Sequence, residues 1–332
     1  MCVTLISFVG LFKKNKPESN SVGSLKIFFT TDLHGSEIAF RKFLNAALMT
    51  KSDVLIIGGD LAGKALVPII DIGQGKFKVQ DKIVGREGLE EIIKNFKATG
   101  IYYTIVDEKG YNELNENQKV LEEEFKRAII GRLEEWSKIA QEKLKDTNLI
   151  IYTNLGNDDP LYMFDVIKQS ERLVKCEGDV INLNGYEMIT FGYVNPTPWN
   201  TPREMKEEDI YATLKAMVSK IDKPEKTIFN LHAPPYGASL DNAPLLDNTL
   251  KPVVRNGEIV MTHVGSTAIR KIMEEVQPLI GIHGHIHESR AFDKVGKTTV
   301  INPGSEYNIG ILHAAYIVLE NNKVKLHQFV IG

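Results

Sequence analysis

A strand, a helix and a second strand follow one another near the start of the chain, and this order most constrains the fold. Leu25–Thr31 reads LKIFFTT, an apolar and β-rich run typical of a buried strand. Ile38–Leu48 has apolar residues at helical spacing, and Asp53–Gly58 is a second apolar run. Strands that alternate with helices favour a parallel sheet covered by helices. The sequence therefore predicts an α/β fold.

The pattern changes after the second strand and resumes at the apolar strand Leu149–Thr153. Residues 61–148 contain a hairpin signal around Gly73–Gly75 and two polar stretches with helical spacing. These stretches are Arg86–Ala98 and Glu113–Lys145, and the second could form one helix or two. We interpret 61–148 as a helical insertion between two core strands. A cap over a site and a decoration or dimer surface remain alternative roles for it.

The second half of the chain is richer in strands. Asn184-Gly185 lies between two short β-rich runs, which is a strong hairpin signal. Helices are predicted at Lys206–Ile221 and Ser266–Val276. The further predicted strands are Lys226–Leu231, Leu279–Ile282, Ala291–Val295, Thr298–Ile301, Ala314–Leu319 and Lys323–Val330.

Side chains that can bind metal ions cluster where the predicted strands end. Ligands of open α/β sheets bind beyond the carboxyl ends of strands, so we expect these side chains to converge. Carboxylate, amide and imidazole donors without thiolates suit Mn²⁺, Fe, Zn²⁺ or Ni²⁺. One carboxylate, Asp60, could bridge two ions about 3.5–4 Å apart, as in two-metal hydrolases. The side chains are Asp32 and His34, Asp60, Asn157, His232, and His283, His285 and His287, each set following a different strand.

Five motifs in a fixed order make the chain similar to a known family. Together they resemble the calcineurin-like metallophosphoesterases, the superfamily of purple acid phosphatases and protein Ser/Thr phosphatases. A late turn, 302–305, resembles one found in the smaller bacterial and archaeal phosphodiesterase-like members. The motifs are Asp32-Leu33-His34, Gly58-Gly59-Asp60, Gly156-Asn157-Asp158-Asp159, His232 and Gly284-His285-Ile286-His287.

The resemblance implies a fold, two metal ions and a role for each motif residue. The fold would be a four-layer α-β-β-α sandwich of two mixed β-sheets. A hydroxide between the ions would attack phosphorus in line, with Asp60, Asn157, Asp158 and His232 as catalytic residues. Asp32, His34 and His287 would hold one ion, Asn157, His232 and His285 the other, and Asp60 would bridge them.

Position 158 departs from the family's pattern. Many members have His after the Gly-Asn pair, where it helps to protonate the leaving group, whereas this chain has Asp158. A carboxyl with an ordinary pKa near about 3.9 is a poor acid at pH 7, although burial or Asp159 could raise that pKa. A role as general acid and a role in orienting His34 or substrate both stay open. The change favours phosphodiesters or activated esters.

Lys64, four residues after Asp60, could contact substrate phosphate or lie on the surface.

Composition excludes several classes of protein. Lys and Arg number 40 and Asp and Glu 43, so a net charge of −3 provides no strong attraction to nucleic acid or anionic lipid. The two cysteines, Cys2 and Cys176, form no CxxC pair and no disulfide framework. Residues 1–24 are expected to be a loose leader. No later segment has eighteen uninterrupted apolar residues, and a cytoplasmic location is expected.

The sequence therefore predicts a dinuclear metal-dependent phosphoester hydrolase, with a phosphodiesterase favoured over a protein phosphatase. We expect a small phosphoester substrate and neither a membrane nor nucleic acid as partner, while homo-oligomerisation stays open. A nuclease of the same superfamily is one alternative, which the near-neutral charge disfavours. A non-enzymatic, metal-stabilised scaffold or regulatory protein is another, which the complete ligand set disfavours.

Overall fold

Two mixed β-sheets of six strands each form the centre of the molecule. The computed structural model describes residues 23–332, so almost all of the expected leader at 1–24 lies outside the described residues. In spatial order, the first sheet contains β20 (Lys323–Ile331), β19 (His313–Glu320), β1 (Leu25–Thr30), β2 (Val54–Ile57), β7 (Ile151–Thr153) and β8 (Leu173–Lys175). Strands β1, β2, β7 and β8 are parallel, whereas β19 and β20 are antiparallel additions.

The second sheet repeats this plan with a parallel centre and antiparallel edges. Its spatial order is β17 (Ala291–Val295), β18 (Thr298–Asn302), β16 (Ile280–Ile282), β11 (Thr227–Leu231), β10 (Tyr186–Phe191) and β9 (Ile181–Leu183). Only β17 and β9 run antiparallel to their neighbours within this sheet. The predicted β9–β10 hairpin is confirmed. Asn184 and Gly185 both have positive φ, of 53° and 90°, as a two-residue type I′ turn requires.

Helices cover the outer face of each sheet, which makes the four-layer sandwich. Helices α1 (Glu37–Met49), α4 (Gln118–Leu144) and α5 (Met163–Ile167) share a buried apolar cluster with the first sheet. Helices α6 (Glu207–Val218) and α7 (Thr267–Val276) do so with the second. A further cluster joins the inner faces of the two sheets, with Phe29 and Ile56 on one side and Ile228 and Ile282 on the other. The predicted α-β-β-α fold is confirmed.

The insertion is a mixed α/β unit, so its description as helical was incomplete. It contains a four-stranded sheet in addition to α4 and two further helices. The predicted segment Glu113–Lys145 divides into two helices, because Asn117 ends one and its side chain caps α4 by accepting from the Lys119 amide at 3.2 Å. The other elements of the insertion are β3 (Ala65–Gly73), β4 (Lys76–Val79), β5 (Lys82–Val84), α2 (Arg86–Ala98), β6 (Ile101–Val106) and α3 (Glu108–Glu116).

Helix α4 anchors the insertion to the first sheet. The Trp136 ring, 1% exposed, stacks on Phe40 of α1 with a centroid distance of 4.5 Å. Helix α1 begins at its cap Ser36, whose hydroxyl accepts from the Ala39 amide at 3.3 Å. Burying a large apolar side chain in this way contributes about 1.5–3 kcal/mol. The insertion therefore shares the core of the sandwich.

Four short strands precede α7 and were not predicted. Strand β12 (Asn242–Pro244) pairs with β15 (Met261–His263), and β13 (Val254–Arg255) pairs with β14 (Glu258–Ile259). Within residues 23–332, no helix has an apolar stretch long enough to cross a bilayer.

Candidate metal centre

The predicted ligands emerge at the carboxyl ends of β1, β2, β7, β11 and β16. Four of them have left-handed backbone conformations, with φ of 54° at Asp32, 40° at His34, 51° at Asp60 and 68° at His285. Such conformations are uncommon for residues other than glycine and concentrate at functional sites. They bend the chain sharply after β1, β2 and β16.

One group of four side chains is built on the first sheet and completed by the second. Donor atoms of Asp32, His34, Asp60 and His287 all lie within 4.8 Å of one another. The Nε2 atoms of His34 and His287 are 3.1 Å apart. His287 Nε2 lies 3.3 Å from a carboxylate oxygen of Asp32, and His34 Nε2 lies 3.6 Å from one of Asp60. The predicted first set of ligands therefore comes together.

A second group lies beside the first and shares Asp60 with it. Donor atoms of Asp60, His232 and His285 lie within 4.8 Å of one another. His232 Nε2 is 3.4 Å from Asp60 Oδ2 and 3.1 Å from Asn157 Oδ1. The Asn157 amide nitrogen donates to Thr201 Oγ1 at 3.1 Å, which turns Oδ1 towards His232. All seven predicted ligands thus meet in one place.

Backbone carbonyls fix the imidazole orientations. His34 Nδ1 lies 3.0 Å from the Ala62 carbonyl, and His232 Nδ1 lies 2.9 Å from the Gly58 carbonyl. A ring N–H that donates to a carbonyl leaves the Nε2 lone pair free for a metal. His283 differs, because its Nδ1 lies 2.8 Å from the Leu231 carbonyl and it belongs to neither group. We assign His283 to the support of the loop after β11.

The carboxyl groups of Asp60 and Asp32 have lowered pKa values. Burial raises the pKa of Asp60, but the imidazoles of His232 and His34 outweigh it and hold that pKa well below its ordinary value. Burial likewise opposes ionisation of Asp32, yet His287 and His232 bring its pKa down to about 2. Both groups are therefore negative at neutral pH, as metal ligands must be.

The imidazoles divide into two protonation states. Burial lowers the pKa of His34 to about 3 and the pKa of His285 to about 4, so both rings are neutral at pH 7. Burial also disfavours the charged form of His232, but the carboxylates of Asp60 and Asp32 raise its pKa to about 9. The His232 proton must leave before Nε2 can bind a metal.

Asp158 lies at the edge of the cluster in an ion pair. Its carboxylate Oδ2 is 2.7 Å from Lys64 Nζ, and its backbone amide donates to Asp60 Oδ1 at 3.0 Å. Burial raises the pKa of Asp158, and the nearby Asp60 carboxylate raises it further, against the Lys64 ammonium. The carboxylate that acts on this pKa is therefore Asp60, rather than Asp159 as the sequence suggested.

Asp159 has a structural role that sequence reasoning missed. Its buried carboxylate accepts backbone amides from Leu61 at 3.0 Å, Ala62 at 2.8 Å and Gly156 at 2.8 Å. These bonds join the loop after β2 to the loop after β7. Burial and the Asp60 carboxylate raise the pKa of Asp159 to about 7.

The late turn 302–305 supports the ligand loops. Ser305 Oγ donates to the Asp32 carbonyl at 2.7 Å, and the Asn302 amide donates to the Ile286 carbonyl at 2.9 Å. Next to the turn, the Tyr307 ring packs on His34 with a centroid distance of 4.5 Å. The turn was readable from the sequence, whereas nothing in the sequence indicated the Tyr307 contact.

The fold and the donor set together define a site able to hold divalent cations. A family model described as calcineurin-like phosphoesterase matches residues 25–289. The chain belongs to this family, whose members act on phosphoesters. The described residues provide two side-chain groups able to hold metal ions.

Individual relatives match only part of the chain or share little sequence identity with it. The uncharacterized protein MJ1162 of Methanocaldococcus jannaschii is 36% identical over 151 residues, which cover 45% of this chain and 61% of that protein. One crystal structure superposes with a TM-score of 0.54 at 16% identity, covering 93% of this chain and 98% of its own. The protein TT1561 of Thermus thermophilus gives 0.50 at 14% identity, with 93% and 98% covered. At 16% and 14% identity, the two superpositions show a shared fold alone.

Proposed function

We propose that the protein is a dinuclear metal-dependent phosphodiesterase. The observation that carries this proposal is the position of Asp60, which belongs to both ligand groups. Its Oδ2 lies 3.6 Å from His34 Nε2 of one group and 3.4 Å from His232 Nε2 of the other. A carboxylate between two sets of imidazoles is suited to bridge two cations.

The residues present fit two divalent metal ions. Oxygen and imidazole donors suit Mn²⁺, Fe, Zn²⁺ or Ni²⁺. When bound, such a pair lowers the pKa of a water molecule and neutralises charge on phosphoryl oxygens. Asp32, His34 and His287 would hold one ion, Asn157, His232 and His285 the other, and Asp60 both.

The chain's own residues then orient the reacting groups. The Asp158 amide and the Thr201 hydroxyl hold the Asp60 carboxylate and the Asn157 amide in place. In its ion pair with Lys64, the Asp158 side chain accepts a hydrogen bond instead of offering a proton. Leaving groups that need little protonation therefore suit this site, as in activated esters.

Two cavities beside the cluster favour diesters over monoesters. One, of about 620 Å³, is lined by His287 and Tyr307. The other, of about 500 Å³, is lined by Lys64 and Asp158. A phosphodiester carries two organic substituents and a monoester one, so a phosphorus atom held at the cluster could direct one substituent into each cavity.

The test combines metal analysis with hydrolysis. We expect chelator-treated protein to be inactive, and protein reloaded with Mn²⁺ to bind two ions and cleave bis-p-nitrophenyl phosphate faster than p-nitrophenyl phosphate. Asp60→Asn should bind at most one ion and lose hydrolysis. The matched control is Asp165→Asn, whose side chain is 74% exposed on α5 and which should behave as wild type. Full metal loading without hydrolysis of any phosphoester would refute the proposal.

A further inference from the structure

The cavity of about 500 Å³ lies between helix α4 of the insertion and the ligand loops. Phe125 and Ile129 of α4 form one apolar wall, and Pro160 and Tyr162 come from the loop after β7. Its size falls within the range of about 300–1,000 Å³ typical of small-molecule sites. The insertion thus contributes most of the residues that line this cavity, which the core alone would leave open.

One end of this cavity lies next to the metal centre. Lys64 and Asp158 line it, and their side chains are joined at 2.7 Å. The amide of the same Asp158 donates to Asp60 Oδ1 at 3.0 Å. One residue therefore borders both the cavity and the carboxylate shared by the two ligand groups. A substituent on a phosphorus atom at the cluster would reach the cavity past the Lys64–Asp158 ion pair.

Contacts of α4 fix the insertion wall in advance. Phe125 meets Tyr102 of β6 edge to face at a centroid distance of 5.7 Å, and the Tyr102 hydroxyl accepts from the Gly63 amide at 3.0 Å. Arg132, buried on α4, donates to the carbonyl of Gly35 in the loop after β1. A wall attached to the ligand loops at two points keeps its distance from the metal centre.

We propose that this cavity is a subsite for a planar aromatic ester substituent of the substrate, such as a phenyl ring or a nucleobase. The inference rests on the proposed phosphodiesterase function and adds the substrate class. Aromatic and aliphatic walls favour an apolar planar group. Lys126, which also lines the cavity, has its Nζ 4.9 Å from the Tyr162 ring centroid, so the wall of the cavity already contains one contact between a cation and an aromatic face.

The experiment measures binding by calorimetry to the Mn²⁺-loaded protein, with phenylphosphonate and methylphosphonate as probes. The two share the anionic group and differ in the substituent. We expect phenylphosphonate to bind at least about tenfold more tightly, a factor that corresponds to about 1.4 kcal/mol. Phe125→Ala should reduce this preference to about twofold and leave methylphosphonate affinity unchanged. Phe125→Leu, which keeps apolar volume on α4, should also reduce it.

Phe77→Ala is the matched control, because Phe77 packs in a separate cluster of the insertion and does not line the cavity. It should keep the tenfold preference. Equal affinities for the two phosphonates in wild type would overturn the subsite while the phosphodiesterase proposal stands. A preference that survives both Phe125 variants would also overturn it, since the ring would then bind elsewhere. Absence of both binding and hydrolysis would refute the phosphodiesterase proposal itself.

Discussion

Replacement of Arg203 by Met should destabilise the domain and loosen the metal centre together. Arg203 is 1% exposed and donates to the carbonyls of Leu155 at 2.6 Å and Gly156 at 3.3 Å, just before the ligand Asn157. Its guanidinium also pairs with Glu177. The Glu177 side chain is 12% exposed, so most of its charge would stay out of water without a partner. Removing one partner of a buried ion pair costs about 3–5 kcal/mol. A domain whose free energy of unfolding is about 5–15 kcal/mol would lose a large share of its stability.

The assay is urea unfolding of the variant beside hydrolysis of bis-p-nitrophenyl phosphate. We expect a free energy of unfolding lower by about 3–5 kcal/mol and kcat/KM lower by about tenfold or more, since misplaced catalytic groups react slowly. Adding Glu177→Gln should restore part of the stability, because it removes the stranded charge. The control Arg127→Met, whose side chain is 68% exposed, should change stability by less than about 0.5 kcal/mol. A loss for Arg203→Met no larger than the control's would refute this reasoning.

Three further outcomes follow from individual contacts. Gly156→Ala should abolish metal binding, measured by elemental analysis, because an added Cβ would lie 2.1 Å from Asp60 Oδ1. Trp136→Ala should lower the free energy of unfolding by about 3–5 kcal/mol in a single transition seen by urea denaturation, since this ring packs in the core shared by insertion and sandwich. Burial raises the pKa of the Cys176 thiol to about 12, whereas an unfolded thiol ionises near about 8.5. Stability from this group is therefore complete below about pH 8.5 and falls as pH rises towards 12, and Cys176→Ala should show a shallower alkaline loss in pH-dependent urea titrations.

Local sequence patterns predicted most of the sandwich because its elements carry their own signals. The Asn184-Gly185 turn and helix α7 appear where the sequence predicted them. Strand β6 was missed even though Ile101–Val106 is rich in β-branched and aromatic residues, because its parallel partner β3 lies far away in the chain. Strand β8 has only three residues and little pattern to read. Pairing between distant segments is what a local pattern leaves undetermined.

In the candidate metal centre, the ligands were easier to predict from the sequence than the residues that hold them in place. Asp32 and Asp60 stand directly after apolar strands, so the topology of a parallel sheet was enough to bring them together. Asp159, Arg203 and Tyr307 act through contacts with loops and rings distant in sequence. A carboxylate, a guanidinium and a phenol are common surface groups, and only the folded backbone reveals which of them are buried. The supporting roles of these three residues were therefore beyond prediction from one sequence.

The base of the insertion explains how such a large segment can interrupt a metal centre without displacing its ligands. Asp159 accepts amides from Leu61 and Ala62, where the insertion leaves the core, and from Gly156, after it returns. At Gly63, near the start of the insertion, the chain passes so close to the turn between α2 and β6 that an added Cβ would lie 2.1 Å from the Gly100 carbonyl oxygen. One buried carboxylate thus holds the two ends of the insertion together. The entropy cost of closing such a loop grows only slowly with its length. We therefore expect that changes in the insertion outside these contacts and outside the core residues of α4 can alter the cavity wall, while the predicted metal ligands keep their positions.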